Sequence, residues 1–431
     1  MPTLAQFNAI RKPFETQYFA APNLGPHTRT VMVPSHIWWT EHLALALLNA
    51  GHNVLLHFAL YLLYTDDELW RQFDHCWNMV LQTMRQHQVD LIVAGNSTAL
   101  MVHPKTGELL HQAAKVPMVH YWWDEPRTRP PFGKRLPLTP EDYLRFLRDP
   151  ATLNVIWDRD VLEELGEYCQ ITNTLHVPLA TLPEMWPDGY MPLENRPLAA
   201  CFLGNCHAAV DWIETDADPL AAWARQVVTR KIADLDRPMA ACLREAGAIP
   251  RGESAHLAQH TGAWEQFTMP WDFLNTAYMH RTRNEMVKAV AGHIAGKLAL
   301  IGKGWEALKL RANSEHALDK TGLVYGLSKA SLNLSGGCVH GGMPLRPFDI
   351  AASSGLLLTH YQRELPELFE PGRECLAFRN APEMLEHLDH ILARPADYNG
   401  IAQAGRARVR AEHTWSRRVE KVLAAAEGLR F

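Results

Sequence analysis

The chain has no run of about 18 apolar residues, the length a membrane-spanning helix needs, so no transmembrane segment is expected. Its first residues, Met1 to Gln6, lack a basic region followed by an apolar stretch; no secretion signal is expected, and the cytoplasm is the expected location, with peripheral contact to a membrane surface left open. The seven cysteines, Cys76, Cys169, Cys201, Cys206, Cys242, Cys338 and Cys375, are scattered and odd in number, which suits reduced thiols better than a disulfide framework. Despite 22 histidines there is no His-Glu-x-x-His, no Cys-x-x-Cys pair and no zinc-type spacing, so no resident metal or cofactor is expected. The 42 Lys and Arg residues are dispersed in a chain of net charge −5, and no strip exists for a nucleic-acid backbone. No fixed-period repeat is present.

At 431 residues the chain exceeds one ordinary core and suits two domains of roughly 200 residues each. Hydrophobic residues make up 47% and charged residues 21%, an ordinary balance for a globular enzyme. The tryptophan pairs Trp38-Trp39 and Trp122-Trp123 have faces that can stack on sugars, though packing in the core is the plainer reading.

Short apolar runs alternate with helical patterns. Thr30–Val33 predicts a strand, 41–50 a helix ending at Gly51, and Asn53–Phe58 a second strand. An amphipathic segment from Asp67 to His87 follows, then strands at Asp90–Ala94, Val116–Tyr121, Asn154–Trp157 and Thr174–Pro178. Strands separated by helices argue for a parallel, doubly wound sheet. A proline-rich passage from Pro178 to Pro197 reads as a linker. The pattern restarts at Ala199–Gly204, Leu298–Gly302, Ser331–Leu334, Leu356–Thr359 and Cys375–Phe378, with helices expected at 382–392, 400–413 and 416–429. The expected domains are therefore 1–190 and 191–410, with a helical insertion at about 207–280 as a lid or acceptor surface, and a C-terminal helix in 411–431 packing back on the first domain.

The most informative stretch runs from Ala330 through Gly336-Gly337 and His340-Gly341-Gly342 to Arg346-Pro-Phe-Asp349 and on to Thr359. It predicts a buried strand, a glycine-rich loop, a short helix beginning near Arg346 and another buried strand. Such a loop lets backbone approach a ligand, and the amides of 340–342 and the helix start at Leu345 and Arg346 suit a pyrophosphate, with Arg346 adding charge. Asp349, one turn in, can accept hydrogen bonds from a ribose; it can equally serve to cap its own helix. Gly204 and Asn205 end another predicted strand, as do Gly302, Lys303 and Gly304, where a lysine between two glycines is well placed for a phosphate.

These fragments resemble the glycosyltransferases of the GT-B fold, and most closely the spore-maturation (CgeB-type) glycosyltransferase-like family. The resemblance rests on Ala199–Asn205, Leu300–Trp305, Ser328–Asn333, Arg346–Asp349, Gly355, Ala404–Val409 with His413–Arg417, and Pro117–Pro126 in the first half. It implies two Rossmann-like α/β domains facing a cleft. It also implies a nucleotide-diphosphate sugar as donor on the C-terminal domain, and an acceptor of unknown identity on the N-terminal one. Related retaining enzymes carry two acids eight positions apart in the donor loop; here Asp349 matches the second, while Gly341 stands at the first. Arg346 or Lys303 would then stabilise the leaving diphosphate in place of a metal.

The expected activity is metal-independent sugar transfer to a hydroxyl of a glycan, protein or metabolite, with retention of configuration favoured. Asp124 and His120 are the candidate proton acceptors, with His36 and Glu41 behind them. Two alternatives stay open: a metal-dependent transferase using Asp158-Arg-Asp160, and a sugar-nucleotide binding protein without turnover, for which Gly341 is the motive.

Overall fold

The computed structural model describes residues 16–429 apart from 24, 26, 36–37, 59–61, 97–100, 129–138, 187, 207–211, 216, 251–262, 295, 314–320 and 337. Seven strands form the first sheet: β1 (Thr16–Phe19), β2 (Thr30–Ser35), β3 (Asn53–Phe58), β4 (Leu91–Gly95), β5 (Met118–Trp122), β6 (Thr152–Ile156) and β7 (Thr174–His176). Their order is β1-β3-β2-β4-β5-β6-β7, and every pairing is parallel except that of β1 with β3. Strands β4, β5 and β6 are buried at every position, because both faces of the sheet are covered; this is why they read as unbroken apolar runs. The antiparallel edge strand β1, Thr-Gln-Tyr-Phe, half exposed along its length, lacks that signal.

Five parallel strands form the second sheet: β8 (Leu198–Leu203), β9 (Leu298–Ile301), β10 (Ser328–Asn333), β11 (Leu357–His360) and β12 (Leu376–Phe378), in the order β12-β11-β10-β8-β9. The fold is thus α/β with two doubly wound parallel sheets. Among the helices, α1 (Trp38–Asn49) packs against the first sheet and α2 (Arg159–Cys169) follows β6. Asp158 caps α2, its Oδ1 accepting the N–H groups of Asp160 at 3.0 Å and Val161 at 3.3 Å. The amphipathic segment 67–87 is two helices, Asp67–Arg71 and Phe73–Gln86, divided where Gln72 leaves helical geometry (φ −103°, ψ 21°).

Between β8 and β9 the chain inserts α3 (Pro219–Ala233), α4 (Met239–Ala246) and α5 (Ala263–Met279), then a π-helical turn, His280–Asn284, and α6 (Glu285–His293). The insertion has its own core, including Trp223, Leu274 and Tyr278. It also reaches across to the first domain: α4 packs on α2, and α5 on the 3-10 turn Pro126–Thr128. Helix α7 (Arg346–Ala352) follows β10, and α8 (Asn399–Glu412) packs on it. The last helix, α9 (Trp415–Ala426), returns to the first domain and packs on α1. There Trp415, fully buried, meets the Tyr121 ring edge-on at 5.5 Å.

Candidate functional site

Two loops at the C-terminal ends of β8 and β9 abut each other. Gly302 (φ +141°) lies so close that a Cβ would stand 2.2 Å from the carbonyl oxygen of Gly204, and at Gly304 (φ +86°) one would stand 2.3 Å from that of Cys206. Trp305 Nε1 donates to Gly204 O at 2.8 Å, and Lys303 N to Asn205 Oδ1 at 2.9 Å. The structure therefore brings Gly204, Asn205, Gly302, Lys303 and Gly304 together, with the Lys303 side chain exposed to solvent.

Beside these loops sit two guanidinium groups. Arg346 Cζ is 5.4 Å and Arg283 Cζ 5.9 Å from the ring centroid of Phe202, a fully buried residue of β8. Arg346 Nη2 is 3.3 Å from the point a Cβ on Gly204 would occupy. Arg283 donates to Asn205 O at 3.3 Å, and its Nη2 fills the space a side chain on Gly336 would need. Burial and the charge of Arg346 pull Arg283 down to about 9; the thiols of Cys338 and Cys206 oppose this weakly, and no carboxylate among the described residues does so. Two such cations held together create a demand for an anion. Arg283 was outside the sequence reading: it is aimed by the π-helical turn, a distortion often found at functional sites and without a mark in residue spacing.

The glycine-rich loop is placed differently from expectation. Asp158, from the first domain, accepts the backbone N–H groups of His340 at 2.8 Å and Gly341 at 3.1 Å through Oδ2. A Cβ on Gly341 would stand 2.7 Å from the Asp160 carboxyl carbon, and one on Gly342 would stand 2.8 Å from Asp158 Cα. The amides assigned to pyrophosphate are thus occupied by a carboxylate of the protein itself. His340 is fully buried, with Glu164 2.8 Å from Nδ1 and Asn275 3.0 Å from Nε2; against the burial, Glu164 holds it above its ordinary value. Leu345 is packed in the core. Asp349 Oδ1 accepts from Thr181 Oγ1 at 2.6 Å, and burial raises its carboxyl to about 7, opposed by Thr181 and Arg346.

Asp158 and Asp160, the carboxylates of the metal alternative, are both engaged by the protein's own groups. Asp160, fully buried, is neutralised by Arg363 at 2.6 Å and Lys231 at 3.2 Å and accepts from Met239 N at 3.0 Å. Glu125, Glu164 and His340 have a ligand atom each within 4.8 Å of one another. Yet Arg127 already fills the space between the carboxylates, with Nε 2.6 Å from Glu125 and Nη2 2.5 Å from Glu164, its guanidinium 3.6 Å from the centre of the Trp271 ring. This is a polar network between the first domain, the insertion and the glycine-rich loop at His340.

In the first domain, Asp124 lies just past β5, partly exposed, with Oδ2 accepting from Asn96 Nδ2 at 3.0 Å. His120 does not face the cleft: it is fully buried within β5, with Nδ1 3.1 Å from Asn96 O and Nε2 3.0 Å from Met118 Sδ. Burial pushes it down to about 3. Strand alternation points Tyr121, not His120, toward α9. Glu41 is buried in α1, and His36 lies outside the described residues.

Residues 281–424 match the protein family described as "Glycosyl transferase-like". No curated protein matches the chain in sequence. In fold, the chain is similar to the sucrose-phosphate synthase of Thermosynechococcus elongatus, at 12% identity and a TM-score of 0.51, covering 93% of this chain and 99% of that one. It is also similar to HepE of Anabaena, solved in complex with UDP and glucose, at 10% identity and a TM-score of 0.50, covering 94% of this chain and 100% of that one. The architecture is that of the two-domain GT-B glycosyltransferases. No helix among the described residues is long and apolar enough to cross a membrane.

Proposed function

We propose that the chain transfers a sugar from a nucleotide-diphosphate sugar to a hydroxyl-bearing acceptor without a metal ion. The observation that carries this reading is the pairing of Arg283 and Arg346 over Phe202, at the C-terminal edge of a parallel sheet where open α/β folds bind ligands. Fixed guanidinium groups receive a diphosphate in fork geometry and stabilise the charge that grows on it as the sugar leaves. The bound UDP and glucose of HepE, a protein of the same fold, support a nucleotide sugar as the donor. Gly204, Asn205, Lys303 and Gly304 would flank the nucleotide, and Asp349, through the oxygen not bonded to Thr181, would take a ribose hydroxyl.

Asp124 is the remaining acceptor-side base if transfer inverts configuration; retention, which needs no such base, stays the favoured outcome. The kinship with CgeB-type proteins rests on the order and spacing of the motifs from Pro117 to Arg417. The test is thermal stabilisation by UDP and by UDP-sugars: a ligand at 100 times its Kd stabilises by about 2.7 kcal/mol. No shift with any nucleotide sugar, together with no release of nucleoside diphosphate on long incubation, removes the reading. Shift without release favours the second reading, a binding protein without turnover, which the packing of Asp160 against Gly341 motivates.

A further inference from the structure

The chain leaves the first domain and returns to it through one small region. The outgoing chain passes Thr181 after β7, and the returning chain passes Thr414 before α9. These two residues form an isolated parallel bridge, with Thr181 N donating to His413 O and Trp415 N donating to Thr181 O, each at 3.1 Å. The side chain of Thr181 is engaged on both sides. Its hydroxyl donates to Asp349 Oδ1 at 2.6 Å and accepts from Trp186 Nε1 at 2.7 Å. Trp186 is itself held, its ring against Gly322 so closely that a Cβ there would stand 2.5 Å away.

Asp349 is three residues from Arg346 on α7, one turn of the helix that carries half of the arginine pair. From the crossing to the anion site the path is therefore two residues long: a threonine hydroxyl, then one helical turn. We propose that Thr181 is a positioning residue that couples nucleotide occupancy at Arg346 to the crossing between the domains. The proposal rests on the nucleotide reading above. A diphosphate drawn to Arg346 fixes α7. The Asp349 carboxyl then fixes the Thr181 hydroxyl, and with it the two segments of chain that cross between the domains. No bond to the ligand from Thr181 is needed.

The test uses the full chain, UDP as the probe, calorimetry for affinity and hydrogen exchange for the crossing. In the wild type, saturating UDP slows exchange in peptides covering 178–186 and 413–418. In Thr181→Val, UDP binds about tenfold more weakly, the loss of one hydrogen bond to a charged group, and the slowing at those peptides disappears. Thr181→Ser keeps the hydroxyl and restores both. A Val variant with wild-type affinity and a full exchange response overturns the coupling. So does a wild type that binds UDP without any change at the crossing, a result that needs no variant to fold. A wild type that binds no UDP removes the nucleotide reading and this proposal with it. Arg283→Ala separates the cases, because it lowers affinity under the nucleotide reading whether or not Thr181 is coupled.

Discussion

Asp158 and Gly341 belong to different domains, and the carboxylate of the first accepts the backbone N–H of the second at 3.1 Å. The same carboxylate caps α2 through its other oxygen, so one side chain orders a helix start and a loop of the opposite domain together. Asp158→Ala removes both. The cap alone is worth about 0.5 to 2 kcal/mol, and the bonds to His340 and Gly341 add to it, so the melting temperature is expected to fall by several degrees. A change smaller than that of a surface Asp→Ala control counts against this role.

Gly341 has no room for a side chain. Placing an acid there, as in Gly341→Glu, drives its Cβ to within 2.7 Å of the Asp160 carboxyl carbon. Loss of stability and a larger radius of gyration in solution scattering are expected, as the two domains part. A variant as compact and stable as the wild type shows that the loop has another resting place.

Arg283→Ala and Arg346→Ala should each weaken UDP binding by about 10- to 100-fold, the worth of a charged hydrogen bond to phosphate, roughly 1.5 to 3 kcal/mol. Because the two groups share Phe202 and one anion, the double variant should lose less than the product of the single losses. Isothermal calorimetry decides, and full additivity would place them at separate sites.

Activity and UDP affinity should be unchanged by EDTA and unaffected by added manganese, because Asp158 and Asp160 are committed to amides, Lys231 and Arg363. Loss of transfer in EDTA with recovery in manganese sinks the metal-free reading.

His413 accepts from Arg418 Nη2 at 2.8 Å through Nδ1 and lies 2.8 Å from Leu368 O through Nε2, an arrangement that fits the neutral ring with its proton on Nε2. Burial, then Arg418, lowers it to about 4 from 6.5. A folded-state value below the unfolded one means stability present above 6.5 and lost as pH falls toward 4. The loss is about 1.4 kcal/mol per pH unit in that window from this group. Melting temperatures between pH 7 and 4 test it: His413→Gln should flatten the fall, whatever its starting stability.

The doubly wound halves were legible because buried parallel strands such as Leu-Ile-Val-Ala-Gly at 91–95 leave unbroken apolar runs. The loops around Gly204 and Gly302 were legible too, since glycines following such runs mark close backbone approach. What could not be read was long-range polar pairing. Nothing near Asp158 in sequence announces that its partners are the amides of His340 and Gly341. His120 failed for a related reason: its position on β5 was right, but its ring faces a buried side of the sheet. Arg283 was hidden because a single π-helical turn, not a motif, sets it beside Phe202 and Asn205.

The return of α9 to the first sheet has a bearing on how the chain is made. Trp415 fills a place between Tyr121 and Trp123, at 5.5 Å and 6.5 Å from their rings, so the first domain is finished by residues synthesised after the whole second sheet. While a ribosome is still extending the second half, the first must wait with an aromatic groove open to water, exposed to whatever apolar surface it meets. A gene fragment stopping at residue 190 would carry that groove permanently, and should clump unless a peptide spanning 413–429 is supplied alongside it.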